Sequence, residues 1–225
     1  HSHAGSVSEG IPTKREDPMT ETSRDGQQAT AFEFRQAGPR GSAARYLHPA
    51  AEALFPPIRP GMRVLDVGCG NGYWAGWFLN QGCQVVGIDP SSSGVALART
   101  AHPNGRFEEA VVSTDTLQQL GEAPFDLVVS FEVVEHVYSP KTWAIGCLSA
   151  LKPGGTLVCS TPYHGYLKNV LIALAGKWDH HHQPLHEGGH IKFWSFATLD
   201  KQLRQVGFEP ARLRGAGRYP GLWKS

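Results

Sequence analysis

The sequence predicts an α/β fold: a doubly wound, mostly parallel sheet with helices on both faces. Three observations predict it. Short apolar, β-branched runs recur between residues 63 and 161, and helical stretches alternate with them. The first run passes directly into a glycine-rich turn, "LDVGCGNG" at Leu65–Gly72, which opens a helix. The second run, "QVVGID", ends on an acid, Asp89, where such sheets bind ligands.

The elements follow in order. Residues 1–30 are polar, rich in Gly, Ser, Thr and charge, and aperiodic, so they read as a disordered leader. "HSHAG" does not begin with Met, and Met19 is a natural start, so part of the leader reads as an expression scar. Residues 31–225 then form one domain. "AARYLHPAAEALF" (43–55) has helical apolar spacing and stops at Pro56-Pro57. "RVLDVG" (63–68) is the first strand, "YWAGWFLNQG" a helix and "QVVGID" (84–89) the second strand. A helix near Ser93–Ala101, a third strand in "RFEEAVV" and a fourth in "FDLVVSF" (125–131) come next. A helix near Pro140–Leu151 ends at Lys152-Pro153-Gly154-Gly155, and "TLVCST" (156–161) is the fifth strand. "LDKQLRQVGFEPARL" (199–213) reads as a helix, a Gly break and a strand, which suits a final antiparallel edge hairpin.

Composition excludes several classes. A formal net charge of +1 gives no basic excess, so nucleic acid is not an expected partner. No apolar run approaches the ~20 residues of a membrane span. The longest, "NVLIALAG" at Asn169–Gly176, reads as a core or cap helix that could also touch a membrane surface peripherally. Cys69, Cys83, Cys147 and Cys159 are scattered with no CxxC pair, which implies a reduced, cytoplasmic protein. A monomer or a homodimer fits equally.

Gly68, Gly70 and Gly72 remove Cβ atoms where the backbone turns sharply and approaches a ligand. Alone, this pattern fits a dinucleotide fingerprint or a tight strand–helix turn. Asp89 is placed to accept hydrogen bonds from ribose hydroxyls. Asp66, just inside the loop, suits a ligand ammonium better than a pyrophosphate, which it would repel.

With "VLDVGCGNG", "VVGIDPS", "FDLVVSFEVVEHV" and "LKPGGTLVCSTP" in order, roughly residues 60–165 resemble the class I S-adenosylmethionine-dependent methyltransferases. The resemblance implies a seven-stranded Rossmann-like sheet and an insertion after strand five, residues 162–194, that caps the acceptor. It implies S-adenosylmethionine as cofactor. Gly68 and Gly70 would pass under the methionine and ribose, Asp66 would hold the amino-acid end and Asp89 the ribose diol. Pro90 and Ser91 would flank the adenosine, with Ala110 and Val111 near adenine. Cys69 and Ser130 count among the residues around the donor, although Cys69 reads better as a small packing residue than as a nucleophile.

A sulfonium methyl is already activated, so the protein must align donor and acceptor and exclude water. A phenol of pKa ~10 also needs a base or a metal to become nucleophilic at pH ~7. After strand four, "FEVVEHV" supplies Glu132, Glu135 and His136, which would share one face if a helical turn begins there. Oxygen-rich ligation favours Mg²⁺ or Mn²⁺, and added histidines allow Zn²⁺, Fe²⁺ or Co²⁺. Pocket wall is the simpler role for these residues.

The segment is also similar to the E-x-x-E-H motif of the HEN-type small-RNA 2′-O-methyltransferases, which a later His completes as a metal site; His190 in "GGHIKFW" would be that residue. Ubiquinone-pathway O-methyltransferases share the segment and resemble more of the chain. "WDHHHQPLHEGGHIKFWS" (178–195) carries five of the eleven histidines. His180, His181 and His182 are consecutive and cannot all face one way, so His190 is the sharper candidate beside His136 and Glu132 for catalysis.

The expectation is methyl transfer to a small-molecule acceptor, at oxygen, with a divalent metal as a further candidate. The rivals are an RNA terminal 2′-O-methyltransferase, a non-catalytic S-adenosylmethionine-binding module, and a nicotinamide dehydrogenase. The last lacks the third fingerprint glycine.

Overall fold

The structure, a computed structural model, describes residues 33–34, 41–164, 166–182 and 188–216. The leader expected over residues 1–30 lies outside them, as do residues 217–225 with Arg218 and Lys224.

Helix α1 (Gly41–Glu52) leads into β1 (Arg63–Val67), α2 (Tyr73–Asn80) and β2 (Gln84–Asp89). Next come α3 (Ser92–Ala101), β3 (Arg106–Glu109), α4 (Thr116–Leu120) and β4 (Phe125–Phe131). Then follow α5 (Pro140–Ser149), β5 (Leu151–Ser160), α6 (Tyr166–Leu174), α7 (Trp178–His182) and α8 (Phe196–Val206). The sheet order is β3-β2-β1-β4-β5, and every pairing is parallel. The order reverses beside β1, so β1 and β4 open a crevice at their carboxyl ends.

Alternation along the strands divides the core. Leu65, Ile88, Val128 and Trp143 pack on the face covered by α5 and α8. Val64, Val85, Leu127, Val129 and Phe78 pack on the face covered by α2 and α3. Burial on both faces is why these strands read as continuous apolar runs. At the opposite end, polar pairs close the sheet: Lys152 reaches Asp126 at 2.7 Å, and Asp126 accepts from the Arg63 backbone N–H at 2.9 Å.

Two expectations differ from the fold. Strand β3 is only Arg106–Glu109, because Ala110 and Val111 turn away from β2 after Ala110 N–H reaches the Asp89 carbonyl. Among the described residues the sheet has five strands, with no antiparallel edge. Helix α8 ends at Gly207 (φ 113°), and residues 208–216 run without strand pairing. Pro210 lacks the N–H that an edge ladder would use there.

Between Tyr163 and Trp194 the chain leaves the sheet and returns. Those two residues form a parallel bridge, and His164 N–H donates to the Trp194 carbonyl at 2.9 Å. Helices α6 and α7 lie within this excursion.

Candidate active site

The turn after β1 is built for close approach. Gly68, Gly70 and Gly72 have φ of 78°, 50° and 84°, a region that side chains disfavour. A Cβ on Gly68 would stand 2.2 Å from Val133 Cγ2, and one on Gly70 would stand 2.6 Å from the Phe34 ring. Phe34 also packs against Gly94, and its N–H donates to Ser93 Oγ at 2.9 Å. No periodic pattern surrounds Phe34 in the sequence, which hid its place against the loop.

Asp89 ties this loop to the next. Its two carboxylate oxygens accept from Gly70 N–H at 2.9 Å and from Ser91 N–H at 2.8 Å. Burial pushes its pKa up, and the two backbone donors oppose the rise. Asp66 is more extreme. It is buried, its Oδ2 has no partner, and desolvation with the Asp89 charge pushes its pKa up to about 7. A cationic group beside Asp66 would satisfy that oxygen and restore the carboxylate.

The other expected donor residues divide. Ser91 caps α3, its hydroxyl accepting from Gly94 N–H at 3.2 Å, while Pro90 and Val111 are exposed and Ala110 half-buried. Cys69 is buried against Gly87, and desolvation raises its thiol far above the usual range, so it stays a neutral packing group. Ser130, the next-to-last residue of β4, is fully buried and accepts from the Trp143 indole at 3.3 Å.

Across the crevice, residues 132–137 form a tight turn and not a helix. Glu132 has a left-handed φ of 57°. Ser160, its neighbour at the end of β5, holds it there: the Ser160 hydroxyl donates to Glu132 Oε1 at 2.7 Å. Glu135 is completely buried; neither carboxylate oxygen has a hydrogen-bond partner, and His136 Nε2 stands 3.9 Å from Oε1. Burial, and then the Glu132 charge, push its pKa up to about 8.

His136 and His190 complete a cluster. Ligand atoms of Glu135, His136 and His190 all lie within 4.8 Å of one another, and Glu132 stands outside that group. The returning chain positions His190. Ile191 and Lys192 N–H both donate to the Glu135 carbonyl, at 2.9 and 3.0 Å, and His136 Nδ1 lies 3.2 Å from the Gly189 carbonyl. Desolvation, then His136, lowers the His190 pKa, so its ring is neutral near pH ~7.

The three consecutive histidines separate as their spacing requires. His180 and His181 are exposed, whereas His182 is half-buried 5.9 Å from the His164 ring and 5.1 Å from Phe193. His186 lies outside the described residues. His164 belongs, with Tyr163, Tyr166, Trp178 and Phe193, to the aromatic and polar-tipped residues after the fifth strand that the sequence offers for a flat or amphipathic acceptor. Here both its ring nitrogens are buried without a partner, its ring centre is 6.2 Å from that of His190, and burial pushes its pKa down to about 4. Its backbone pairing with Trp194, thirty residues on, is not encoded in any local pattern.

Comparison with known proteins decides the family. Residues 39–213 match the family described as "methyltransferase domain". The chain belongs to that family. This methyltransferase domain is 37% identical over 169 residues to a ubiquinone biosynthesis O-methyltransferase of Roseobacter denitrificans, covering 72% of this chain and 66% of the relative. It is 35% identical over 164 residues to the protein of that name from Dinoroseobacter shibae, covering 69% and 63%. The methyltransferase domain thus spans slightly less than two thirds of these relatives' own length. Its fold is shared with the cyclopropane synthase MmaA2 of Mycobacterium tuberculosis, at a TM-score of 0.56, 21% identity, and coverage of 72% of this chain and 59% of that one.

Proposed function

We propose that this protein transfers the methyl group of S-adenosylmethionine to a hydroxyl oxygen of a small-molecule acceptor, an aromatic hydroxyl of the kind its named relatives suggest. The observation that carries the reading is a juxtaposition at one crevice. A glycine loop clamped by Asp89, with an orphaned Asp66 oxygen, faces a cluster in which the buried Glu135 stands beside the half-buried His136 and the exposed His190.

On the donor side, the residues suit the ligand. Each Asp89 oxygen uses one lone pair on a backbone N–H and keeps another for a ribose hydroxyl. Asp66 offers its free oxygen to the methionine ammonium. S-adenosylmethionine supplies an electrophilic methyl carbon on a sulfonium. The acceptor oxygen bonds to that carbon, and the carbon–sulfur pair leaves with sulfur. The hydroxyl proton must go elsewhere; with no ion in the cluster, the neutral His190 ring offers a basic atom to receive it, and with an ion bound there that role falls away because the hydroxyl is already acidified.

A divalent ion fits the same cluster. Two fully buried carboxylate oxygens without hydrogen-bond partners, beside two imidazoles, are costly unless something satisfies them. Glu135, His136 and His190 would hold it, and its Lewis acidity would lower the pKa of the hydroxyl. One carboxylate and two imidazoles suit Zn²⁺, Fe²⁺ or Co²⁺ better than Mg²⁺. Glu132, engaged with Ser160, acts as a positioning residue for the turn. Residues 162–194 form the acceptor cap. The exposed apolar side chains of α6, Leu171 and Leu174 among them, would let an amphipathic acceptor be drawn from a membrane surface. No helix among the described residues is long and apolar enough to cross one.

Calorimetry with S-adenosylmethionine and with NADH tests the donor: binding of the first in the micromolar range is expected, and binding of NADH alone would reject the reading. Turnover of phenolic acceptors by chelated, metal-free protein, with and without added Co²⁺ or Zn²⁺, tests the ion. Loss in chelator and recovery on metal addition are expected; full activity without metal would remove the ion from the mechanism.

A further inference from the structure

Lys168 is unusual for a lysine. It lies on the first turn of α6, half-buried, four residues beyond His164. Among the described residues it takes part in no salt bridge. Its ammonium donates, among the described residues, only to the Tyr163 carbonyl, at a long 3.4 Å. A solvated surface lysine needs no partner, but a desolvated one without a carboxylate has lost hydration and gained little in return.

Its surroundings are specific. The Tyr163 carbonyl that it touches immediately precedes His164, whose two ring nitrogens are buried and unpartnered. The Lys168 charge is felt at His164, at His190 and at His181. The Phe193 ring stands edge-on to His164 at 4.9 Å and to His182 at 5.1 Å, giving the same space an aromatic wall. One cation, neutral imidazoles and a flat apolar wall do not suit a further metal ion, which the ammonium would repel. They suit an anion on a planar molecule.

We propose that Lys168, with His164 beside it, recognises an anionic oxygen on the aromatic ring of the acceptor, separate from the hydroxyl that is methylated. The inference rests on the methyl-transfer reading, because it treats this pocket as the acceptor site. Two sources share that chemistry: a ring carboxylate and a second, ionised ring hydroxyl. Both would dock against the ammonium while the single N–H of the neutral His164 ring donates to the anion, and the acceptor ring would lie along Phe193.

Calorimetric titration of the full chain separates these cases. S-adenosylhomocysteine is titrated first, so failure of the donor reading appears there, independently of the acceptor probes. Those probes are 3,4-dihydroxybenzoate and its uncharged methyl ester, at about pH 7 and about pH 9, the second near the range in which phenols ionise. For a carboxylate, Lys168→Met weakens the acid about tenfold or more, leaves the ester within about twofold, and Lys168→Arg restores most of the loss. For an ionised hydroxyl, Lys168→Met weakens both probes, more at the higher pH, with the same rescue by arginine. The proposal is overturned if the wild type binds neither probe or if Lys168→Met leaves both unchanged. Equal loss of both at each pH without rescue by Lys168→Arg, the mark of a structural lysine, also overturns it.

Discussion

Gly68 concentrates the constraints on the donor loop into one missing methyl group. Its φ of 78° strains any L side chain, and a Cβ would overlap Val133 Cγ2. Gly68→Ala should therefore cost about 2 kcal/mol or more, read from urea denaturation. Adding Val133→Ala should return part of that loss, because it removes the clash and leaves the backbone strain; a strictly additive double mutant would show that the clash is not felt. Asp89 is constrained in a different way. Asp89→Ala leaves the buried N–H groups of Gly70 and Ser91 without acceptors, costing ~1–3 kcal/mol for each group that water cannot reach. The variant should remain folded while its S-adenosylmethionine affinity collapses. An unchanged affinity would deprive Asp89 of its place at the ribose.

At the scale of elements, the turn after β4 determines which acids meet the imidazoles. Glu132 leaves the strand with φ 57° and is anchored to Ser160, so it sits beside the cluster while Glu135 enters it. On the proposal that the cluster holds a divalent ion, Glu132→Gln should cost about tenfold in its affinity by loosening the turn, and Glu135→Gln a further tenfold or more, measured by competition with a chromophoric chelator. Equal losses would make Glu132 a ligand. This turn also marks where the sequence is legible. The strands can be read because a parallel sheet buried on both faces needs uninterrupted β-branched runs, and "VLDVG" and "LVVSF" are such runs. The acid–acid–histidine motif can be read as a set of donors. Its spacing predicts a helical face to unite them, whereas the uniting contacts come from residues 189–192, which reach the Glu135 carbonyl and the His136 ring. Phe34 and Lys168 are invisible in the sequence for the same reason: their meaning lies in contacts that neither local periodicity nor spacing encodes.

Over the whole molecule, these buried groups give the ligand-free, metal-free protein a definite pH response. Asp66 and Glu135 have folded pKa values of about 7 and about 8, above the unfolded range near ~4. The folded state therefore holds protons that the unfolded state has released, and each carboxyl removes stability as pH rises from ~4 to its folded value. His164 acts in the opposite sense. Its folded pKa of about 4 lies below the unfolded ~6.5, so its contribution grows with pH and is complete near ~6.5. Below that point His164 offsets only one of the two carboxyl terms, so Tm should already decline gently as pH rises. Between about pH 6.5 and 8 only the carboxyl terms remain, and Tm should fall. Asp66→Asn should flatten the lower part of this decline and Glu135→Gln the upper part. Saturating S-adenosylmethionine should flatten the Asp66 part as well, because its ammonium would hold the carboxylate ionised in the folded state. A decline that the ligand leaves unchanged in slope would separate Asp66 from the donor ammonium, even if the ligand raises Tm at every pH.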